Sequence, residues 1–185
     1  KLRVGTRKSD LALTQTNLVK TTLESKGYSP EIQHIVTVGD KDLRPFQHMT
    51  GDGFFTKEIE KNLLAENIQL AVHSSKDLPS QIHHSLPWVA YSEREDTSDI
   101  MIVKKEFVLS EKPLKLKNGI HIGTSSPRRK AQLEKEFPTS KISSIRGNVP
   151  TRVEKVLSGE FEATVLAKAG VNRLNLHSSI LEKGL

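Results

Sequence analysis

Three short stretches place arginine directly after a strand-like run and beside small hydroxyl residues. GTSSPRRKAQL (123–133) sets Thr124, Ser125 and Ser126 ahead of Pro127, Arg128 and Arg129. VGTRKSDLALTQ (4–15) repeats that grammar with Arg7, Lys8 and Ser9, and RGNVPTR (146–152) carries Arg146, Gly147, Asn148 and Arg152. Ser126 suits an N-cap and Pro127 a first helical position. Arg128 and Arg129 then fall in the first helical turn, where each opposes the helix dipole by about 0.3–1 kcal/mol. A bound anion would reverse that penalty, because backbone N–H groups, hydroxyls and guanidiniums are all available to it. Taken singly, each stretch also reads as a solvated basic helix start or an ordinary turn. Together they favour a ligand with several carboxylates, since a hydrogen bond to a charged group contributes about 1.5–3 kcal/mol.

A fourth stretch, HSSKDLP (73–79), sets one acid, Asp77, beside Lys76. The plain reading is a surface Lys–Asp pair before a proline turn. The functional one is a carboxylate kept ionised among cations. It would stabilise a positive charge developing on a substrate, or relay a proton. His83 and His84 are adjacent in a loop and show no metal-ligand spacing, and His73 reads as a satisfied strand-end histidine. No metal site is expected.

These residues need a scaffold, and 185 residues suffice for one large or two small domains. Hydrophobic residues make up 35% and charged residues 27%, with a net charge of +6, as in a soluble, mildly basic protein. No apolar run approaches the roughly 18 residues that span a bilayer, and no membrane partner is expected. The absence of cysteine removes disulfides and thiolate chemistry from these residues. It fits the cytoplasm, with a plastid or other reducing compartment left open. Only 5% of residues are aromatic and no strand carries an aromatic platform, so nucleic acid is not an expected partner.

Apolar runs alternate with amphipathic ones. Strands are predicted at 2–6, 31–38, 68–74, 88–93, 99–104, 119–124, 141–147 and 161–167. Helices are predicted at 9–25 (apolar face Leu11, Leu18, Val19), around Ile59–Leu64, after Ser126 to before Pro138, at 150–158, and as a turn at AGVNRL. This alternation predicts an α/β fold with mainly parallel sheets. Two such blocks, 1–96 and 97–185, are joined by the polar EREDTS stretch as a hinge, with a cleft expected between them. Ligands of such sheets bind beyond the carboxyl ends of the strands, where the arginine stretches lie.

Six stretches in order, VGTRKSDLALTQ, HSSKDLP, SEREDTSD, GTSSPRRKAQL, RGNVPTRVEKV and LAKAGVNRL, resemble porphobilinogen deaminase, also called hydroxymethylbilane synthase. The resemblance implies two domains like those of the type II periplasmic binding protein fold. It implies a transferase of porphyrin and haem biosynthesis that joins four porphobilinogens head to tail, releasing ammonia, into linear hydroxymethylbilane. The partners it implies are porphobilinogen and the growing linear pyrroles, and the expected state is a monomer. Growth begins on a dipyrromethane cofactor bound to a cysteine of a third domain, and no such cysteine is present in this chain. By resemblance, Asp77 is the catalytic aspartate. Ser9, Lys76, Thr124, Ser125, Ser126 and Arg129 hold the cofactor. Arg7, Arg128, Arg146, Gly147, Asn148, Arg152 and Arg173 line the site for substrate and chain carboxylates. Where the family often has GKGLF this chain has GDGFF, with Asp52 in the lysine position. The resemblance covers the front part of the family's length, so this chain by itself is expected to be inactive. The alternative is a non-enzymatic protein of the same fold that binds polycarboxylates or pyrroles.

Overall fold

The computed structural model describes residues 1–41, 53–111, 113–182 and 184–185. Asp52 lies outside the described residues. The chain forms two compact units, Lys1–Arg94 and Glu95–Leu185.

The first unit is built on a parallel three-stranded sheet. Strand β1 (Leu2–Thr6) lies between β2 (Pro30–His34) and β3 (Leu70–Ala71), with Val4 opposite both Ile32 and Leu70. Val4 is fully buried, and at Gly5 a Cβ would come within 2.3 Å of Ile68 Cδ1, so the sheet packs tightly there. Helix α1 (Asp10–Ser25) returns the chain between β1 and β2, and Ser9 Oγ caps it by accepting from the Ala12 N–H. Its inward residue is Thr16 rather than Leu18, which is 58% exposed. The Thr16 hydroxyl donates to Ala12 O and meets Thr6 Oγ1 at 2.7 Å, so a polar pair substitutes for the expected apolar contact. The short helix α2 (Val38–Lys41) and helix α3 (Lys57–Leu64) complete the described part, and Ile59 of α3 is fully buried.

Three strand predictions in this unit need correction, the one at 68–74 being confined to Leu70–Ala71. The second strand stops at His34 because the chain bends into α2, where Asp40 accepts from both the N–H and the hydroxyl of Thr37. WVAYSE (88–93) is not a strand. Its composition suits one, but a strand needs a partner edge, and Trp88, Val89 and Tyr91 all stand exposed. Trp88 and Tyr91 instead pack edge to face, ring centroids 5.3 Å apart.

The second unit has a four-stranded sheet in the order β4 (Asp99–Val103), β9 (Ala163–Ala167), β7 (His121–Gly123), β8 (Lys141–Ser143). β7 runs parallel to β8 and β9, and β4 is antiparallel to β9. Helices α4 (Pro127–Glu136), α5 (Val149–Leu157), α6 (Lys168–Arg173) and α7 (His177–Glu182) pack around it. Val103, Ile122, Val165 and Leu133 form one core cluster, and Ile102, Leu166, Val153 and Val171 another. The near-continuous apolar run ATVLA follows from burial on both faces. A hairpin of β5 (Val108–Glu111) and β6 (Leu114–Leu116) lacks a counterpart in the sequence reading. Its strands are short and one side is wet, with Leu109 63% exposed, so no clear period announces it.

The end of β7 leaves no room for a side chain. A Cβ on Gly123 would sit 2.9 Å from Ile145 Cβ and 3.0 Å from Phe161 Cδ1. Gly123→Ala should therefore destabilise the second unit by about 1–3 kcal/mol, read as a lowered midpoint in chemical denaturation. An unchanged midpoint would mean that the strand end can shift freely.

Candidate functional site

In the first unit, Arg7 follows β1 and is held on two sides. Its Nε and Nη2 donate to Asp40 Oδ1 at 3.1 and 2.5 Å, and its guanidinium lies 4.0 Å from the Phe55 ring centroid. Burial pushes the Asp40 carboxyl up, but the bonds from Arg7 and Thr37 outweigh it and hold the group below its usual range.

Lys76 and Asp77 lie in a single 3₁₀ turn, Ser75–Asp77, just after β3. The turn is fixed to α1 through the Ser74 hydroxyl, which donates to Gln15 Oε1 at 2.8 Å. His73, one step earlier, is half-buried, and that burial pushes its pKa below the usual value. Glu60 and Asp77 act on it in the opposite sense, and Arg7 adds to the lowering. His73 thus lies within the fields of both Arg7 and Asp77.

In the second unit, two helix N-termini face the strand ends. Ser126 caps α4, its Oγ accepting from the Arg129 N–H at 3.4 Å, with Pro127 in the first turn. Thr124 is buried, and its Oγ1 accepts from the Ser126 N–H. The Ser125 hydroxyl donates to Ile145 O at 2.5 Å and lies 2.9 Å from Ser144 Oγ. Asn148 caps α5, accepting from the N–H and hydroxyl of Thr151. Gly147 precedes it at φ +114°, where a Cβ would come within 2.6 Å of Thr151 Cγ2, so this loop requires glycine.

The arginines of this unit differ in how far they are committed. Arg129 is gripped: Nε and Nη2 bond the two carboxylate oxygens of Asp99 at 3.0 and 2.5 Å, and Nη1 donates to Val165 O at 3.2 Å. Arg128 reaches the same carboxylate at 3.2 Å but is 64% exposed, so its bond contributes little. Arg152 is half-buried and donates from Nε to Gly147 O at 2.8 Å. Its burial, and then the charges of Arg129 and Arg146, push its guanidinium below the ordinary arginine range. An arginine does not lose its proton under such pressure, so Arg129, Arg146 and Arg152 form a crowded cationic field beside two helix N-termini. Arg173, in the last turn of α6, is half-buried, and its charge acts on Glu95.

The sequence reading missed the carboxylates that hold these arginines. Asp40 and Asp99 lie 33 and 30 residues from their partners. Asp99 stands in a stretch already singled out, SEREDTSD, but no spacing rule ties it to Arg129. Two more acids of that stretch bind α6. Glu95 accepts from Asn172 Nδ2 at 3.1 Å, and Asp96 pairs with Lys168 Nζ at 2.7 Å. Among the described residues no cluster of potential metal ligands occurs, and no helix is long and apolar enough to cross a membrane.

The Arg129 bonds hold the Asp99 carboxyl below its ordinary value, with burial acting against them and Arg128 adding to the lowering. A depressed folded-state pKa contributes stability that is fully present above the unfolded value and lost as pH falls through the folded one. The midpoint difference between the unsubstituted protein and Asp99→Asn should therefore be constant above about pH 5 and shrink below about pH 4. A difference independent of pH down to about pH 2.5 would contradict the pairing.

The profile described as porphobilinogen deaminase, dipyromethane cofactor binding domain, matches residues 2–185. A porphobilinogen deaminase of Trichlorobacter lovleyi is 43% identical over 185 residues, covering 98% of this chain and 58% of that protein. One of Bacillus pumilus is 41% identical over 187 residues, covering 100% of this chain and 59% of that protein. The chain therefore spans less than two thirds of the curated relatives it matches. Among solved structures, an ancestral arginine-binding protein bound to arginine is similar at 18% identity and a TM-score of 0.49, covering 99% of this chain and 76% of that one.

Proposed function

Because the chain belongs to the porphobilinogen deaminase family, we propose that the protein carrying it is a transferase that condenses four porphobilinogens into hydroxymethylbilane. The observation that supports this most is the crowding of Arg129, Arg146 and Arg152 beside the capped starts of α4 and α5. Cations pressed together in a partly dry site call for a polyanion. Porphobilinogen and its oligomers offer an acetate and a propionate on each ring. Non-enzymatic binding of such ligands has less support, because the whole length of the chain matches curated proteins named for the deaminase activity.

In each condensation the aminomethyl nitrogen of one porphobilinogen leaves as ammonia. Its methylene carbon then bonds to the free α-carbon of the next pyrrole, which loses a proton. Positive charge builds on the pyrrole nitrogens along the way. Asp77 carries the carboxylate assigned to stabilise that charge. Its turn is fixed by Ser74 to α1, so the group is positioned in advance. Arg7 is the cation of the same unit assigned to a ligand carboxylate.

The crowded guanidiniums of the second unit also suit a dipyrromethane, itself a polycarboxylate. Thr124, Ser125, Ser126 and Arg129 are the residues proposed to hold it in the second unit, and Ser9 and Lys76 those proposed in the first. When bound, this group supplies the pyrrole end on which the chain grows. Ser125 and Arg129 already spend bonds on Ile145 O and Asp99, so the Arg129 contribution is chiefly orientation and field. Arg146, Gly147, Asn148, Arg152, Arg128 and Arg173 are the proposed lining for chain carboxylates. These 185 residues contain no cysteine, so a thioether anchor would belong to another part of the protein. A cytoplasmic monomer is the proposed state.

The test is the full-length protein incubated with porphobilinogen. It should release four ammonia molecules and take up one water, the source of the hydroxymethyl oxygen, per hydroxymethylbilane formed. Asp77→Ala should lower the rate by at least about a hundredfold while calorimetric binding of a non-reacting porphobilinogen analogue stays within about threefold. No product from the unsubstituted protein would overturn the assignment. Equal loss of rate and binding in Asp77→Ala would overturn the role of Asp77.

A further inference from the structure

The Arg7 environment contains more than one interaction needs. Its two bonds to Asp40 converge on a single oxygen, Oδ1. The other oxygen, Oδ2, accepts from the Thr37 N–H at 3.1 Å and the Thr37 hydroxyl at 2.7 Å. Thr37 is fully buried, so the carboxylate is anchored from behind. The face of the guanidinium is covered by Phe55. That ring fits because residue 39 is glycine: a Cβ there would stand 2.1 Å from Phe55 Cε1. The Gly39 N–H also donates to Phe54 O at 2.7 Å, joining the two sides.

A guanidinium has five N–H donors arranged in a plane. Nε and one hydrogen of Nη2 point to Asp40. The remaining edge, made by Nη1 and the outer hydrogen of Nη2, bonds no acceptor among the described residues. That edge is a second fork, with the geometry that grips a carboxylate by two parallel bonds.

We infer that Asp40 is a positioning residue: by fixing the Nε side of Arg7 against a threonine-anchored carboxylate, it aims the outer guanidinium fork at one ligand carboxylate. This rests on the proposed role of Arg7 as a carboxylate contact and deepens it, because it assigns the orientation of that contact to a residue outside the arginine-bearing motif. Phe55 and Gly39 complete the socket by excluding water from one face and leaving space for the ring. A preorganised fork loses less side-chain entropy on binding than a free arginine does. Removing Asp40 should therefore weaken the ligand only while Arg7 is present.

The experiment is a double-mutant cycle on the full-length protein. Binding is measured by calorimetry with the porphobilinogen analogue that has a methyl group in place of the aminomethyl group and cannot be deaminated. Asp40→Asn should weaken this analogue on the order of tenfold, and in an Arg7→Ala background by less than about twofold. Asp40→Glu keeps the charge on a longer stem and spares the fold if Asp40→Asn does not. Its smaller loss should likewise vanish without Arg7. The same factor in both backgrounds, or no loss in either, would overturn the inference. Turnover of porphobilinogen by the unsubstituted protein, measured in parallel, separates the outcomes. Product formed with an additive cycle removes the role of Asp40 alone. No product and no analogue binding remove both that role and the proposed function.

Discussion

A buried arginine keeps its charge, and much of this chain is arranged around that constraint. Arg7 and Arg129 sit deep enough that water cannot serve them fully, with side chains 21% and 15% exposed. Each has been given a carboxylate, Asp40 in the first unit and Asp99 in the second. The bond to Asp99 ties the first turn of α4 to the start of the antiparallel edge strand β4. The bond from Arg129 Nη1 to Val165 O brings the neighbouring strand β9 into the same knot. Two basic residues at a helix start would otherwise oppose the helix dipole, and Asp99 supplies the missing negative charge. In both units the carboxylate fixes a cation without exhausting the local positive field.

The balance shifts from one arginine to the next. Arg129 has three of its nitrogens bonded to protein. Arg152 donates from Nε to Gly147 O and is pressed by two like charges. A site built this way keeps its shape through the committed arginine, with like charges crowded beside it. The glycine at 147 serves that arrangement, since its positive φ turns the chain so that Asn148 caps α5 while its own carbonyl meets Arg152.

Local chemistry was the readable part of the sequence. Ser9, Ser126 and Asn148 cap helices because small polar side chains before a helical run have few better uses. The alternating α/β pattern and the buried strands at 2–6 and 163–167 were legible for the same reason. Long-range partners were not. Asp40 and Asp99 look like ordinary acids until the sheets bring them to their arginines. WVAYSE has the composition of a strand, yet composition cannot supply the edge it must pair with. Thr16 faces inward in place of Leu18 because a hydroxyl pair with Thr6 satisfies both groups, a match invisible to any hydrophobic period. EREDTS reads as a polar hinge, and nothing in its spacing announces that Glu95 and Asp96 bind α6 through Asn172 and Lys168.

The central claim is that Arg7 and Arg129 are held in place by protein carboxylates before any ligand arrives. The most direct measurement is the arginine Nε–H spectrum of the ligand-free protein, by nitrogen-15 NMR near neutral pH. Two resolved Nε–H signals that exchange slowly with water, and that are lost one at a time in Asp40→Asn and Asp99→Asn, are the predicted result. Signals for Arg7 and Arg129 that are averaged with the exposed arginines and exchange as fast as they do would contradict it.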